Sequence, residues 1–211
     1  MITTTNILLL IAAYLLGSIP TAVWVGKYFY NIDVREHGSG NAGATNVFRV
    51  LGKRAGIPVL LIDVLKGLLA VKLAYINTDL EGTYRFVNLQ LVLGLASLAG
   101  HIFPVFASFR GGKGIATLLG IVLALLPYAA FVSMGIFLIV LLATGYVSLS
   151  SMSAAVAFPL IIIFIFKVTV PSLIVFSVLI AIMVLVTHQK NIMRLIRNEE
   201  SKVSLFKKNK G

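Results

Sequence analysis

The run IATLLGIVLALLPYAAFVSMGIFLIVLLA, residues 115–143, holds no charged side chain. As a single helix rising 1.5 Å per residue it would be about 43 Å long, well beyond the ~30 Å hydrocarbon core of a bilayer. Pro127 stands inside it. A proline in a helix interior removes a backbone hydrogen bond and collides with the preceding turn. The run therefore reads as two helices, 115–126 and 128–143, and that division decides on which side of the membrane every later segment falls.

Working outward in windows of about 20 residues, further apolar spans fall at 6–29, 56–76, 89–106, 152–166 and 173–187. The expectation is an all-α polytopic integral membrane protein of about seven transmembrane helices, organised as one membrane-embedded domain over 1–211. A basic tail follows from about 190. The composition agrees: 59% of the 211 residues are hydrophobic and 12% charged, whereas soluble domains carry roughly 25% charged residues. With no cysteine in the chain, disulfides, thiolate catalysis, Cys-ligated zinc and iron–sulfur clusters are excluded. No Lys or Arg precedes Lys27, so the basic n-region of a cleavable signal is missing and the first span is read as retained.

The net charge of +11 could suggest nucleic acid, but that function needs a solvated basic domain, and the spans leave no room for one. Membrane topology explains the charge better. With seven spans, fourteen of the eighteen basic residues share one side, from Lys27, Arg35 and Arg49 through Arg110 and Lys113 to the tail. The opposite side receives Arg85 and Lys167, while Lys66 and Lys72 fall within the second span. The positive-inside rule then predicts an outside N-terminus and a cytoplasmic C-terminus.

The first inner segment, 33–49, contains Gly38, Gly40 and Gly43 in the spacing G-x-G-x-x-G. A dinucleotide fingerprint needs a preceding strand and a βαβ unit, and here a membrane helix precedes it. The glycines still permit backbone N–H groups to converge on an anion, with Ser39, Asn41, Thr45 and Asn46 as neutral donors. A plain connector rich in turn formers is the alternative. The second inner segment reads Arg110-Gly111-Gly112-Lys113-Gly114 and opens onto a helix. It fails the Walker A pattern, since Gly114 follows Lys113 and position 107 is not glycine. A lysine among glycines at a helix N-terminus nevertheless favours phosphate. A positive-inside anchor would explain the lysine but not the glycines.

Asp63 and Lys66, three apart in the second span, share a helix face. Such a pair turns toward the protein interior, as a structural ion pair or as part of a site. His101 and Pro104 read as an ordinary span end. Ser148, Ser150 and Ser151 form a third inner segment, and His188 and Asn191 share a face at the end of the last helix. Singly these residues read as caps and anchors. Four polar segments on one side, against an outer segment 77–88 with no comparable cluster, make an inner-face site the economical reading.

At these residues the chain resembles the bacterial membrane acyl-phosphate:glycerol-3-phosphate acyltransferases. The resemblance covers Gly17-Ser18-Ile19-Pro20, Gly38-Ser39-Gly40-Asn41 through Thr45-Asn46 with Arg49, Asp63-x-x-Lys66-Gly67, Gly100-His101 through Lys113-Gly114, and Asn191-Ile-x-Arg194-Leu195. It implies a seven-helix enzyme of the bacterial plasma membrane, with its site facing the cytoplasm, that moves a fatty acyl group from acyl phosphate to the 1-hydroxyl of sn-glycerol 3-phosphate. Carried onto matching positions, it implies Gly38, Ser39, Gly40, Asn41, Thr45, Gly112 and Lys113 around the acyl phosphate. Arg49, Lys113, Ser151, His188 and Asn191 would receive glycerol 3-phosphate, with Lys113, Ser39, His188 and Asn191 catalytic. No metal or cofactor is expected, and oligomeric state is not legible. One departure is Asn198, where the family pattern has glycine. Asparagine also adopts the left-handed conformation, so the turn is expected to persist, with no role assigned to Glu199 or Glu200.

Two rivals come from other classes. A transporter of a phosphorylated solute would suit helices broken at Pro20 and Pro127, but its pathway needs more polar residues than Asp63 and Lys66 supply. A metal-dependent phosphotransferase of the CDP-alcohol type would need several carboxylates, and Asp63 stands alone in the spans.

Overall fold

The computed structural model describes residues 3–203; Lys207, Lys208 and Lys210 of the expected basic tail lie outside the described residues. Those described form ten α-helices joined by short turns, with no strand among them. By contacts the chain divides into two compact units, Met1–Pro127 and Tyr128–Gly211.

The first unit opens with α1, Thr4–Ser18, whose N-cap Thr3 accepts a hydrogen bond from the Asn6 amide at 3.2 Å. Pro20 cannot supply an amide to continue the ladder, so the chain restarts as α2, Thr21–Tyr30, bent by 42° from α1. The span expected at 6–29 is thus a broken one, with the break at Pro20. After a loop come a short α3, Ala44–Leu51, and the long α4, Lys53–Lys72, with α5, Tyr84–Ile102, and α6, Ile115–Leu125, completing the unit. Segment 33–49, read as a glycine-rich loop, therefore enters a helix at Ala44.

α1 runs along α5, and α4 along α6. Glycines set both approaches. A Cβ on Gly17 would collide with the Ser97 backbone, and one on Gly100 with the Tyr14 carbonyl; Gly67 and Gly120 meet Thr117 and Val64 in the same way. Within a bilayer, where lipid is as apolar as leucine, close backbone approach of this kind supplies the packing that association needs.

The second unit holds α7, Pro127–Thr144, and α8, Val147–Leu160, which ends in a π-turn at Ile161–Ile165 just after Pro159. It continues with α9, Pro171–Thr187, and a short α10, Gln189–Ile196, turned by 59° at His188. α8 packs on α9. Helices thus stand at all seven expected positions, with Pro127 dividing α6 from α7. Among the described residues, three helices are long and apolar enough to cross a membrane, or up to five if each bent pair is one span. α4 carries Asp63 and several lysines and arginines, and α6, at 11 residues, reaches about 16 Å, roughly half a hydrocarbon core.

Candidate active site

In the first unit the chain leaves α2 through Asn31, in the left-handed conformation at φ 55°, and reaches Asp33. Arg35 forks onto that carboxylate, Nε at 2.9 Å and Nη2 at 2.7 Å, and gives Nη1 to the Ala107 carbonyl at 2.9 Å. The Arg35 hydrogen bonds hold the Asp33 carboxyl well below the usual carboxylate range, with Lys27 adding to the effect at 3.4 Å. One arginine counted on charge alone as a topology signal therefore ties the first polar segment to the turn before the second.

Gly38 and Gly40 take positive φ, 61° and 71°, which lets the loop curl over the start of α3. Asn46, 1% exposed, braces the curl. Its Oδ1 accepts from the Ser39 amide at 2.8 Å and the Ser39 hydroxyl at 3.1 Å. Its Nδ2 donates to the carbonyls of Val34 at 2.8 Å and His37 at 3.0 Å. Asn46, expected among the donors to an anion, is spent holding the loop. Thr45 and Arg49 lie one turn apart on the exposed face of α3, and a Cβ on Gly38 would strike the Asn46 Oδ1 and the Val50 side chain.

The second glycine segment folds back along the end of α5. Gly111 donates its amide to the Ile102 carbonyl at 3.2 Å and Gly112 to His101 at 3.1 Å. Four of the loop amides are thereby turned inward. The N–H groups of Ser39, Gly40, Gly111 and Gly112 are all engaged inside the loops, because capping α5 and closing the Gly40 turn use them first. Gly112 serves instead by its size. A Cβ there would strike the His101 ring and come within 3.2 Å of the Ala42 carbonyl. The two glycine segments, 70 residues apart in sequence, thus meet backbone to backbone, with Lys113 next in the chain.

In the second unit the serines stand on α8 rather than in a loop, because the helix starts at Val147. Ser150 and Ser151 turn their hydroxyls back to the carbonyls of Tyr146 and Val147 at 2.8 and 2.9 Å. His188 is the hinge between α9 and α10, not a member of one continuous helix with Asn191. Its Nδ1 lies 2.8 Å from the Val184 carbonyl. A carbonyl can only accept, so Nδ1 carries the proton and Nε2 is the basic nitrogen of the neutral ring.

Glu200, assigned no role from sequence, is the hub of this cluster. It accepts from Ser148 Oγ at 2.8 Å, Asn191 Nδ2 at 2.6 Å and Arg194 Nε at 2.6 Å. Burial alone would raise its pKa, but the three donors outweigh it and hold the carboxyl below its ordinary value. Asn198 takes φ 57°, so the left-handed turn persists without glycine and brings Glu200 back over α10. Donors on two helices facing an acid two residues after the departure were the available signal.

A family model described as glycerol-3-phosphate acyltransferase matches residues 7–198. The chain is 45% identical to the glycerol-3-phosphate acyltransferase of Prochlorococcus marinus strain MIT 9215, over 94% of this chain and 98% of that one. It is 46% identical to that of Enterococcus faecalis strain V583, over 94% and 92%. A crystal structure of PlsY, an integral membrane glycerol 3-phosphate acyltransferase in its glycerol 3-phosphate form, superposes with a TM-score of 0.82 at 37% identity, covering 94% of this chain and 96% of that one. The lysophosphatidic acid form of PlsY gives a TM-score of 0.79 at 36% identity, over 94% and 95%.

Proposed function

The chain belongs to the glycerol-3-phosphate acyltransferase family, and we propose that it takes its acyl group from acyl phosphate and places it on the 1-hydroxyl of sn-glycerol 3-phosphate. The products are lysophosphatidic acid and inorganic phosphate. The observation that carries the donor assignment is the meeting of the two glycine segments, Gly112 against Ala42. It supports a compact phosphate-binding surface with Arg49 and Lys113 as its cations. No fingerprint for the adenosine of CoA occurs in the sequence.

An acyl phosphate is a mixed anhydride with a good leaving group, so no covalent acyl-enzyme is needed. The glycerol hydroxyl oxygen bonds to the acyl carbon, the bond from that carbon to the phosphate oxygen breaks, and the hydroxyl proton passes to the departing phosphate. The protein's part is to hold two anions in attack geometry and to stabilise the charge that develops. Lys113 and Arg49 supply charge, with Ser39, Asn41 and Thr45 as neutral contacts and Gly38, Gly40 and Gly112 leaving room. Ser151, His188 and Asn191 receive glycerol 3-phosphate, His188 through the ring whose Nδ1 is fixed on Val184. Should His188 instead take the proton, Nε2 is the atom that would do so. In the membrane, the N-terminus is outside and the polar segments face the cytoplasm.

The test compares initial rates with palmitoyl phosphate and palmitoyl-CoA, each with excess EDTA and lysophosphatidic acid measured. Turnover confined to acyl phosphate and indifferent to the chelator is expected. Equal rates with both donors, or loss of the acyl-phosphate reaction in EDTA, would overturn the donor assignment. Labelling of a cysteine placed at position 40 or 112 from outside intact cells would overturn the orientation.

A further inference from the structure

Three ionisable side chains lie deep in the first unit without a task in this reaction: Asp63, Lys66 and His101, exposed by 1%, 4% and 5%. Lys66 Nζ is 2.8 Å from Asp63 Oδ1 and donates to the Ile19 carbonyl at 3.0 Å. The Thr21 hydroxyl donates to the same Asp63 oxygen at 3.2 Å, and His101 Nδ1 stands 3.8 Å from it. Asp63 Oδ2 and His101 Nδ1 are fully buried and find no hydrogen-bond partner among the described protein atoms.

An ion pair that merely joined α4 to the α1–α2 break would explain the bonds to Ile19 and Thr21. It would not explain the two orphaned atoms, nor what lies beside them. Asp63 and His101 line a cavity of about 10 Å³ together with Ala42 and Gly112, which belong to the two glycine segments. Such a space holds about one water, which persists where buried polar groups offer it partners. His101 also touches Gly112 twice: its carbonyl accepts the Gly112 amide, and its Nε2 occupies the place a Cβ on residue 112 would need.

We propose that Asp63 and His101, bridged by one water, are positioning residues that set the height of Gly112, and through it Lys113, against the Ala42 end of the first loop. The inference rests on the acyltransferase reading in which Lys113 holds phosphate. The chain of support runs from Lys66, which neutralises Asp63, through the water and the imidazole to the Gly112 backbone. Its output is geometric: a loop that sinks or rises moves the lysine relative to its phosphate, and misplacement on the ångström scale is costly to catalysis.

The experiment measures kcat and KM for palmitoyl phosphate in purified His101→Ala, Gly112→Ala and their double variant, with the folded fraction of each determined and Lys113→Ala as a control. Each single change is expected to lower kcat/KM for palmitoyl phosphate about tenfold, and the double to lose about as much as the worse single, because both act on one contact. His101→Asn, which keeps a polar atom near the Nδ1 position, is expected to recover part of the loss in His101→Ala and keeps the test open if the alanine variant folds poorly. An experimental structure is expected to show one water between Asp63 and His101. An unchanged kcat/KM in the folded single variants, or losses that multiply in the double, would overturn the proposal. If Lys113→Ala is inactive while the His101 and Gly112 variants are normal, only this proposal fails. If Lys113→Ala is fully active, the reading beneath it fails as well.

Discussion

The two units hold polar groups at the ends of apolar helices by different chemistry. In the first, one neutral amide, Asn46, accepts twice from Ser39 and donates to two carbonyls. In the second, one carboxylate, Glu200, gathers three donors from α8 and α10. An amide serves donors and acceptors together and carries no charge to desolvate. A carboxylate only accepts, and binds donors more strongly while it stays ionised. The Asn46 brace is therefore indifferent to pH, although the Asp33–Arg35 pair beside it is not, whereas the Glu200 cluster fails in acid. Packing differs as well: the first unit closes its helices through glycines against backbone, while α7 in the second has a spanning window only 11% buried and a glycine, Gly135, whose Cβ would meet nothing within 4 Å.

The largest effect expected is on the cations that the neutral brace presents. Lys113→Ala and Arg49→Ala should each lower kcat by about 10²–10³, the usual cost of a lost transition-state donor, in protein that remains folded. A normal specific activity would reduce both residues to topology anchors. Next comes the brace. Asn46→Ala leaves buried partners unpaired and should cost about 1–3 kcal/mol per the usual penalty, seen as a lower unfolding temperature in detergent. Gly67→Ala forces a Cβ against the Thr117 backbone and should cost about 1–3 kcal/mol as overpacking does. Loss in neither variant would mean that the first unit is not held as described.

Glu200→Gln sharpens the contrast through pH. The folded-state pKa of Glu200 lies below its unfolded value, so its contribution is fully present above the ordinary glutamate pKa and is lost as pH falls through the folded one. Unfolding profiles should show the wild type losing stability in that acid window, and the Gln variant without that component; an Asn46→Ala profile should keep it. The smallest effect belongs to Gly135→Ala, which adds helix propensity in open surroundings and should stabilise by up to about 1 kcal/mol. A clear loss there would show that α7 is packed against something.

The helices themselves were legible, since hydropathy reports on residues that face lipid and Pro127 marked the one ambiguous boundary. Hydropathy misses what a span does internally. Residues 6–29 are apolar throughout the region where Pro20 breaks them, and α3 was hidden because eight residues of mixed polarity do not look like a membrane segment. At the site, glycine and lysine patterns pointed to the segments that meet, but not to what spends their amides. His101 read as an ordinary span end because its burial depends on a segment ten residues later folding back over it. Glu200 was missed because its value lies in donors from Ser148 and Asn191, 52 and 9 residues away, which only the turn at Asn198 brings within reach.

The bond from Lys66 to the Ile19 carbonyl bears on how the chain enters the membrane. Ile19 lies where Pro20 interrupts the ladder, and its carbonyl is satisfied by the Thr21 amide at 3.0 Å and by a lysine 47 residues downstream. During synthesis the α1–α2 pair emerges first, with that carbonyl short of its charged donor in a medium that offers no water. α4 arrives later with two charges that hydrocarbon excludes unless they find polar company. Each segment is a poor guest of the bilayer alone and an acceptable one together. Insertion is thus expected to couple them: the broken first span waits at the insertion machinery until the charged helix joins it, and the two pass into lipid as one event.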